Sequence, residues 1–393
     1  MVKNSSIVKK ANESLVLDTI KKNKGVTTED IITYTGLSRP TVLSIVKGLC
    51  EKDIVEKSGF VKQSVGRQPV LYSLSQDSYY VMGIDVDVPP IYLTISRLDG
   101  EAVYSKKWLT SVNVSANEIV DFLISNIATA LSENHIPPSK IIGLGLGLPA
   151  LINVKENIAE KISRIRGWKD IRIAQIIEKK YGFPTYVRND THLLGHIERS
   201  SINEDILYIL HRSGIGMVPI INGEVYEGAF GNSGYIGHTK IESKGRVCNC
   251  GSKDCMELYC SKRSIEDEYE KATNQVVEYD GLIEKASAGD ITAINIFRNA
   301  GYYLGIGIAN AIKSYDIPTV VIGDLRCDEE HVFFRSILES VKENSNNYSV
   351  EAPSVKLSKS TSNMYGMGGC QFVLEKFFEQ PKLYTNIESN GGE

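Results

Sequence analysis

Nowhere in the 393 residues does an apolar run approach the roughly 18 residues that a membrane-crossing helix requires. The first residues, MVKNSSIVKKANES, are basic but lack both an apolar core and a small-residue cleavage site, so secretion is not expected and the cytoplasm is. Cysteine is sparse and uneven. Of seven, Cys50, Cys327 and Cys370 stand alone while Cys248, Cys250, Cys255 and Cys260 crowd together, a spacing that favours metal over disulfides in a reducing compartment. Positive charge is also scarce overall, with a net charge of −4, but the deficit is not uniform. Residues 1–78 hold 12 Lys and Arg against 8 Asp and Glu, net +4, which leaves 32 against 40, net −8, for residues 79–393. Such a split suits a small nucleic-acid-binding head on a body that has no reason to touch DNA. Hydrophobic residues make up 42% and charged residues 23%, as in an ordinary soluble protein, and the length predicts two or three domains.

In residues 11–24, Val16, Leu17 and Ile20 recur at helical spacing and predict a first helix ended by Gly25. A second helix is expected from Thr27, capped in combination with Asp30, through Ile31 and Ile32 to Gly36. The third, Ser38 to Cys50, opens on a capping serine with proline in its first turn. Val42, Ile45, Val46 and Leu49 form its buried stripe. Arg39, Pro40, Thr41, Ser44 and Lys47 lie on the outer face or first turn, where a recognition helix meets the major groove. Two β-like runs, Ile54 to Glu56 and Val70 to Leu74, flank a wing. Its tip carries Gly66 and Arg67, an arginine on an extended turn suited to the minor groove. Residues 1–78 are thus expected to be a winged helix-turn-helix domain binding double-stranded operator DNA.

Beyond Ser78 the pattern becomes a meander, Tyr80–Val88, Ile91–Leu98 and Ala102–Leu109, followed by a helix at Ala116–Glu133 and a buried strand at Ile141–Gly147. A similar order recurs. Strands are expected at Asp205–His211, Gly216–Ile221 and Glu224–Tyr226, then a long helix at Ala293–Ser314 and a strand at Thr319–Ile322. An α/β body of two related lobes follows.

Two segments carry a more specific signal: Gly237-His238, and Cys248-Asn-Cys250-Gly-Ser-Lys-Asp254-Cys255-Met-Glu257. Together with the head they resemble the ROK family of repressors and sugar kinases, with Asp254 in place of the signature's second glycine. The resemblance implies an actin- and hexokinase-like, ribonuclease H-like fold. Lobe 1 would span about 79–195 plus a C-terminal helix at about 370–380, and lobe 2 about 196–369. Soft thiolates and imidazole suit zinc, and four ligands close a structural site. Either His238 or Cys260 can complete the set with Cys248, Cys250 and Cys255. Cys260 reads as helical, and the resemblance favours His238. It also implies that Asn189 and Asp190, within Val187-Arg-Asn-Asp-Thr-His192, contact a sugar, with His238 and Glu257. A carboxylate beside an amide reads hydroxyls well, and a capped helix start is the plainer account of the same pair. Tyr235 stands where the kinases carry a sugar-binding glutamate and offers an aromatic face instead.

ATP is not expected to be a partner. The family's phosphate loop is replaced by Asp85-Val-Asp87-Val-Pro-Pro90, which has lost its glycines and threonine, gained two prolines that donate nothing, and placed Asp87 where phosphates would be repelled. A second phosphate loop keeps only Ser213 to Gly216, the nucleotide-side glycine pair reads Gly323-Asp324, and Gly366, Gly368 and Gly369 are expected to serve helix packing. No catalytic residue is assigned. The expected protein is a cytoplasmic homo-oligomeric repressor of carbohydrate genes, xylose metabolism among them, released from its operator by a sugar. A sugar kinase with an appended head and a regulator controlled by a protein partner are the rivals.

Overall fold

The computed structural model describes residues 2–23, 25–61, 68–87, 90–109, 114–162, 165–202, 204–345, 352–360 and 364–379. The wing tip, with Gly66 and Arg67, lies outside the described residues, as do Val88 and Pro89 of the altered loop and the chain beyond Glu379.

The N-terminal part consists of α1 (Val2–Lys22), α2 (Thr28–Thr35), α3 (Arg39–Glu51) and an antiparallel hairpin of β1 (Val55–Phe60) and β2 (Val70–Leu74). Thr27 caps α2 in a reciprocal box: its hydroxyl accepts from the Asp30 amide at 3.2 Å and the Asp30 carboxylate accepts from the Thr27 amide at 2.8 Å. Gly36 ends the helix in the left-handed region. Three expectations need correction. The first helix starts at Val2, not near residue 11; Ile7 and Val8 on it are exposed, so they give no buried stripe for periodicity to detect. Ser38 precedes α3 but makes no capping bond, since its hydroxyl is paired with that of Thr41 at 2.8 Å. Ile45 is half-buried, while Val42, Val46 and Leu49 are fully buried as expected.

The body contains β3 (Tyr80–Val86), β4 (Ile91–Arg97), β5 (Ala102–Trp108), α4 (Ala116–Glu133), β6 (Ile141–Leu148), β7 (Leu151–Asn153), β8 (Ile158–Lys161), β9 (Lys169–Ile171), α5 (Ile173–Tyr181), β10 (Thr185–Asn189) and α6 (Asp190–Glu198). Then follow β11 (Ile206–His211), β12 (Ile215–Ile221), β13 (Glu224–Val225), α7 (Glu257–Cys260), α8 (Lys262–Thr273), α9 (Tyr279–Ser287), α10 (Ile291–Tyr315), β14 (Thr319–Gly323), α11 (Val332–Ser345), β15 (Ser354–Leu357) and α12 (Tyr365–Glu379). Strand ends are shorter than expected at Leu98, Leu109 and Tyr226. Leu109 is 79% exposed, which removes the packing that would extend β5 to it. The C-terminal helix, expected from about residue 370, starts five residues earlier.

Two five-stranded sheets share one plan, ordered β5-β4-β3-β6-β10 and β13-β12-β11-β14-β15: an antiparallel meander whose first strand pairs in parallel with a later one, which in turn pairs in parallel with the next. The expected mixed α/β architecture of repeated plan is therefore present. One core lies between the first sheet, α4 and α5, and another between the second sheet and α7 to α11. A small antiparallel sheet, β7-β8-β9, was not anticipated from the sequence.

The last helix binds the rest together. α12 approaches β3 and β6 backbone to backbone, so closely that a Cβ on Gly83 would sit 1.9 Å from the Gly366 carbonyl oxygen and one on Gly145 2.4 Å from that of Gly369. Its far end enters the core of the N-terminal part through Phe377 and Phe378, beside Val16, Leu17 and Ile20. There Ser14 donates to the Phe378 carbonyl at 2.5 Å and the Lys21 ammonium lies 4.3 Å from the Phe378 ring centre.

Adding a methyl where backbone meets backbone leaves no side chain to move aside. Gly83→Ala is expected to lower unfolding free energy by at least about 2 kcal/mol in urea titrations. Gly48→Ala, where nothing lies within 4 Å, is expected to raise it by about 0.5 kcal/mol by removing a mid-helix glycine. Equal effects at the two positions would refute the packing argument.

Candidate functional site

The cysteine-rich loop is built by close turns. Gly251, in the left-handed region, donates to the Cys248 carbonyl at 2.9 Å, and the Cys248 amide donates to Ser252 at 2.9 Å, which folds the loop back on itself. Asp254, the departure from the family pattern, also has a positive φ, of 60°. Its carboxylate accepts from the amides of Gly245 and Arg246, both at 2.9 Å, and from the Tyr259 hydroxyl at 2.7 Å. An aspartate thus adopts a conformation that favours glycine and fastens the loop with its side chain. His238 arrives on a short 3-10 turn, Ile236–His238, which crowds against β12 because Gly237 has no side chain: a Cβ there would meet the Ile215 carbonyl at 2.3 Å.

The result is a cluster of His238, Cys248, Cys250 and Cys255 whose ligand atoms all lie within 4.8 Å of one another, a set that could hold a metal ion. Cys250 and Cys255 sulfurs are 3.6 Å apart, and Cys248 Sγ lies 3.7 Å from His238 Nδ1. Cys260 takes no part; it is buried at the end of α7 with its thiol directed at the Met256 carbonyl.

Adjoining the cluster is a cavity of about 740 Å³. All five residues proposed from the sequence as sugar contacts line it: Asn189, Asp190, Tyr235, His238 and Glu257. Asn189 is at the same time the cap of α6, its Oδ1 accepting from the Thr191 amide at 3.0 Å, so the plainer account of that residue holds as well. Asp190 is buried, with Oδ1 accepting from the Thr191 amide at 2.9 Å. Tyr235 does present an aromatic face, but its ring is stacked on that of His238, 5.1 Å between centres. Glu257 reaches back to the metal-type cluster, with Oε1 3.1 Å from the Cys248 sulfur and 3.5 Å from His238 Nδ1. The cluster and the cavity therefore share a wall.

The sequence reading missed Arg212. It follows β11 directly, its side chain is only 4% exposed, and it gathers carboxylates from the altered phosphate loop, from Asp190 and from the Gly323-Asp324 pair. Its NH2 is 2.7 Å from Asp85 Oδ2 and its NH1 3.2 Å from Asp85 Oδ1 and 3.4 Å from Asp190 Oδ2. Its Nε is 3.6 Å from Asp324 and 4.0 Å from Asp87, and its face lies 4.4 Å above the Tyr365 ring centre. Lys262 pairs with Asp324 at 3.1 Å, and Arg326 pairs with the same carboxylate. Burial pushes the Asp190 carboxyl up to about 7, with Asp85 and Asp87 adding to the rise and Arg212 opposing it. Burial likewise raises the Tyr235 hydroxyl, aided by Asp190. A lone arginine beside Ser213-Gly214 was the available signal, and nothing local marked it.

On the N-terminal part, Arg39, Pro40, Ser44 and Lys47 are exposed on α3 and Thr41 is half-buried. Arg39 is paired with Glu29 at 2.6 Å and Lys47 with Glu51 at 3.7 Å, both in water, where such pairs contribute little and exchange readily.

A model of the ROK family matches residues 81–376. The chain belongs to the ROK family. It is 28% identical over 388 residues to a xylose repressor of Bacillus spizizenii, covering 97% of this chain and 100% of the relative. A glucokinase of Halalkalibacterium halodurans is 30% identical over 270 residues, 63% of this chain and 80% of the relative. Among solved structures, a ROK family transcriptional regulator described as a homolog of the E. coli MLC protein superposes with a TM-score of 0.80 at 19% identity, over 95% of this chain and 97% of that one, which shows the shared fold. Within the ROK body, the carboxylates of Asp85 and Asp87 in the Asp85–Pro90 loop and of Asp324 in the Gly323-Asp324 pair face the Arg212 guanidinium, whose N–H groups donate to Asp85.

A carboxyl raised by folding binds its proton more tightly folded than unfolded. Its contribution to stability is complete below the unfolded value and is lost as pH rises toward about 7. Between about pH 5.5 and pH 7.5, the stability of the wild type relative to Asp190→Asn is expected to fall, read from paired urea titrations. Curves that stay parallel across that range would show that Asp190 does not titrate there.

Proposed function

We propose that this chain is a DNA-binding transcriptional repressor of carbohydrate-metabolism genes, released from its operator by a sugar held in the cleft beside the metal cluster. The observation that carries this reading is coverage: likeness to relatives named xylose repressor runs the full length of the chain, N-terminal part and body together, whereas the glucokinase match covers only 63% of it. A pentose or hexose fits the cavity's chemistry, since Asn189, Asp190, Tyr235, His238 and Glu257 offer hydroxyl donors and acceptors beside an aromatic face. The organisation that serves this is a winged helix-turn-helix domain over 1–78 and a sensor over 79–393. Its first lobe is about 79–195 with the C-terminal helix, and its second about 196–369. Arg39, Pro40, Thr41, Ser44 and Lys47 enter the major groove and Gly66 and Arg67 the minor groove. A homo-oligomer places two such helices on half-sites about 34 Å apart, or a multiple of that.

The metal is zinc and its role structural. Bonds of about 2.3 Å to sulfur place tetrahedral sulfurs about 3.8 Å apart, close to the 3.6 Å between Cys250 and Cys255. Three thiolates and an imidazole complete the coordination, and the ion supplies folding energy to the loop that forms the cavity wall. Phosphoryl transfer is not part of this reading: the glycine turns that would wrap nucleotide phosphates are replaced by an ion-pair network. No helix among the described residues is long and apolar enough to cross a membrane, and the proposed site of action is the cytoplasm.

Binding of the zinc-loaded protein to operator fragments, titrated with D-xylose and other monosaccharides at fixed salt, tests the reading. One sugar is expected to weaken operator binding at least about tenfold, equivalent to about 1.4 kcal/mol of preference for the released state, and Asp190→Ala is expected not to respond. If no sugar changes binding, the sensor reading fails and a protein partner takes its place. Turnover of ATP with any of these sugars would establish the kinase instead. Elemental analysis is expected to give one zinc per chain, lost in Cys250→Ser together with protease resistance between residues 239 and 260.

A further inference from the structure

One end of the cavity is floored by Arg212, and the charge balance there is unusual. Four carboxylates, Asp85, Asp87, Asp190 and Asp324, lie within 4.0 Å of a single guanidinium that is almost wholly withdrawn from water. Behind them stand Lys262 and Arg326, both turned toward Asp324. The local balance is four acidic groups against three basic ones, with the donors of Arg212 already directed at carboxylates. An anion entering this end would have to strip Arg212 from Asp85 to find a partner; of the other cations lining the cavity besides Lys161, Arg246 and Lys271 are paired with Glu268 and Arg263 with Asp267.

The arrangement also sets what remains available on Asp190. Its Oδ1 is engaged by the Thr191 amide at 2.9 Å. Its Oδ2 stands 3.4 Å from Arg212, longer than the roughly 2.8 Å of a full charge-assisted bond. That oxygen is oriented by the guanidinium yet retains capacity for a hydroxyl from the cavity side.

We propose that Arg212 is a positioning and specificity-determining residue of the cleft: it holds Asp190 ready to accept from the hydroxyl of an uncharged sugar, and the carboxylates it gathers shut out sugars bearing a phosphate or carboxylate. The inference rests on the sugar-sensing reading above and narrows its ligand class. Arg212 does not replace the sugar contacts; it acts through Asp190. The same guanidinium links β3 of the first sheet to the ends of β11 and β14 in the second, so the setting of Asp190 is tied to the way the two sheets face each other.

The test is titration calorimetry on the full-length, metal-loaded protein with D-xylose, D-glucose and D-glucose 6-phosphate, on the wild type, Arg212→Gln, Arg212→Lys, Asp190→Asn and the Arg212→Gln/Asp190→Asn double variant. For the wild type, D-glucose 6-phosphate is expected to bind at least about a hundredfold more weakly than whichever neutral sugar binds best. Arg212→Gln is expected to weaken the neutral sugar at least about tenfold, Arg212→Lys to recover part of that loss, and Arg212→Gln to cost little more once Asp190 is already asparagine. That last dependence separates positioning from a general loss of structure, which would weaken binding equally in both backgrounds and would overturn the proposal. Binding of the phosphate ester within tenfold of the neutral sugar also overturns it, as does neutral-sugar affinity unchanged in Arg212→Gln. Should Arg212→Gln fail to fold, Asp85→Asn/Arg212→Gln keeps the fork as a neutral pair and carries the same comparison. A wild type that binds none of the three sugars defeats the sensor reading itself, whereas failure confined to the Arg212 variants defeats only this inference.

Discussion

A guanidinium removed from water has to be compensated where it stands. Arg212 meets that demand with carboxylates drawn from β3, the segment after it, the first residue of α6 and the end of β14, and with the face of Tyr365 at the start of α12. Ion pairs of this kind contribute little net stability beyond what an apolar core would give, but loss of one partner costs about 3–5 kcal/mol because a charge is left buried alone. The network therefore acts less as a source of stability than as a geometric condition. The two sheets must face each other so that all these groups meet, and the cavity beside Asp190 is the space that condition leaves open.

The metal-type cluster supplies another wall of the cavity, and α12 fixes the first sheet, by different means. Around the cluster, short-range chain geometry dominates. Two tight turns and the carboxylate of Asp254 fold a loop of some twenty residues onto His238, and Glu257 joins that loop to the cavity. α12 works at the opposite end of the scale, by glycine-to-glycine approach against β3 and β6, which leaves no slack for the helix to slide.

How much of this could be read from the residues depended on how far apart the cooperating groups lie in the chain. The capping box at Thr27 and Asp30, the helix Ala116–Glu133 and the cluster from His238 to Cys255 are local and were legible, and Ala116–Glu133 came out with both ends correct. The repeated meander was legible because its two inner strands in each sheet are apolar and its strands are bounded by turns. The start of α1 was not, since Ile7 and Val8 near it stand in water rather than on a buried stripe. Nor was the diversion of the Ser38 hydroxyl from capping to that of Thr41, one turn on. Arg212 was invisible for a different reason: Asp190 is 22 positions away and Asp85 is 127. The loss of the phosphate-loop glycines could be seen in the sequence, but that the replacing aspartates serve an arginine could be seen only once the chain had folded.

The placement of α12 also bears on the order in which the protein is made. It follows every other described element in the chain, yet its terminal Phe377 and Phe378 complete the core around Val16, Leu17 and Ile20, and it fills the surface of a sheet whose strands emerge from the ribosome hundreds of residues earlier. Strands β3 and β6 must wait, with their glycine-lined face uncovered, until translation has delivered the last helix, and only then do the N-terminal helices acquire their fixed seat on the body. A nascent chain would carry its N-terminal helices on a tether, disconnected from the cleft until α12 is in place.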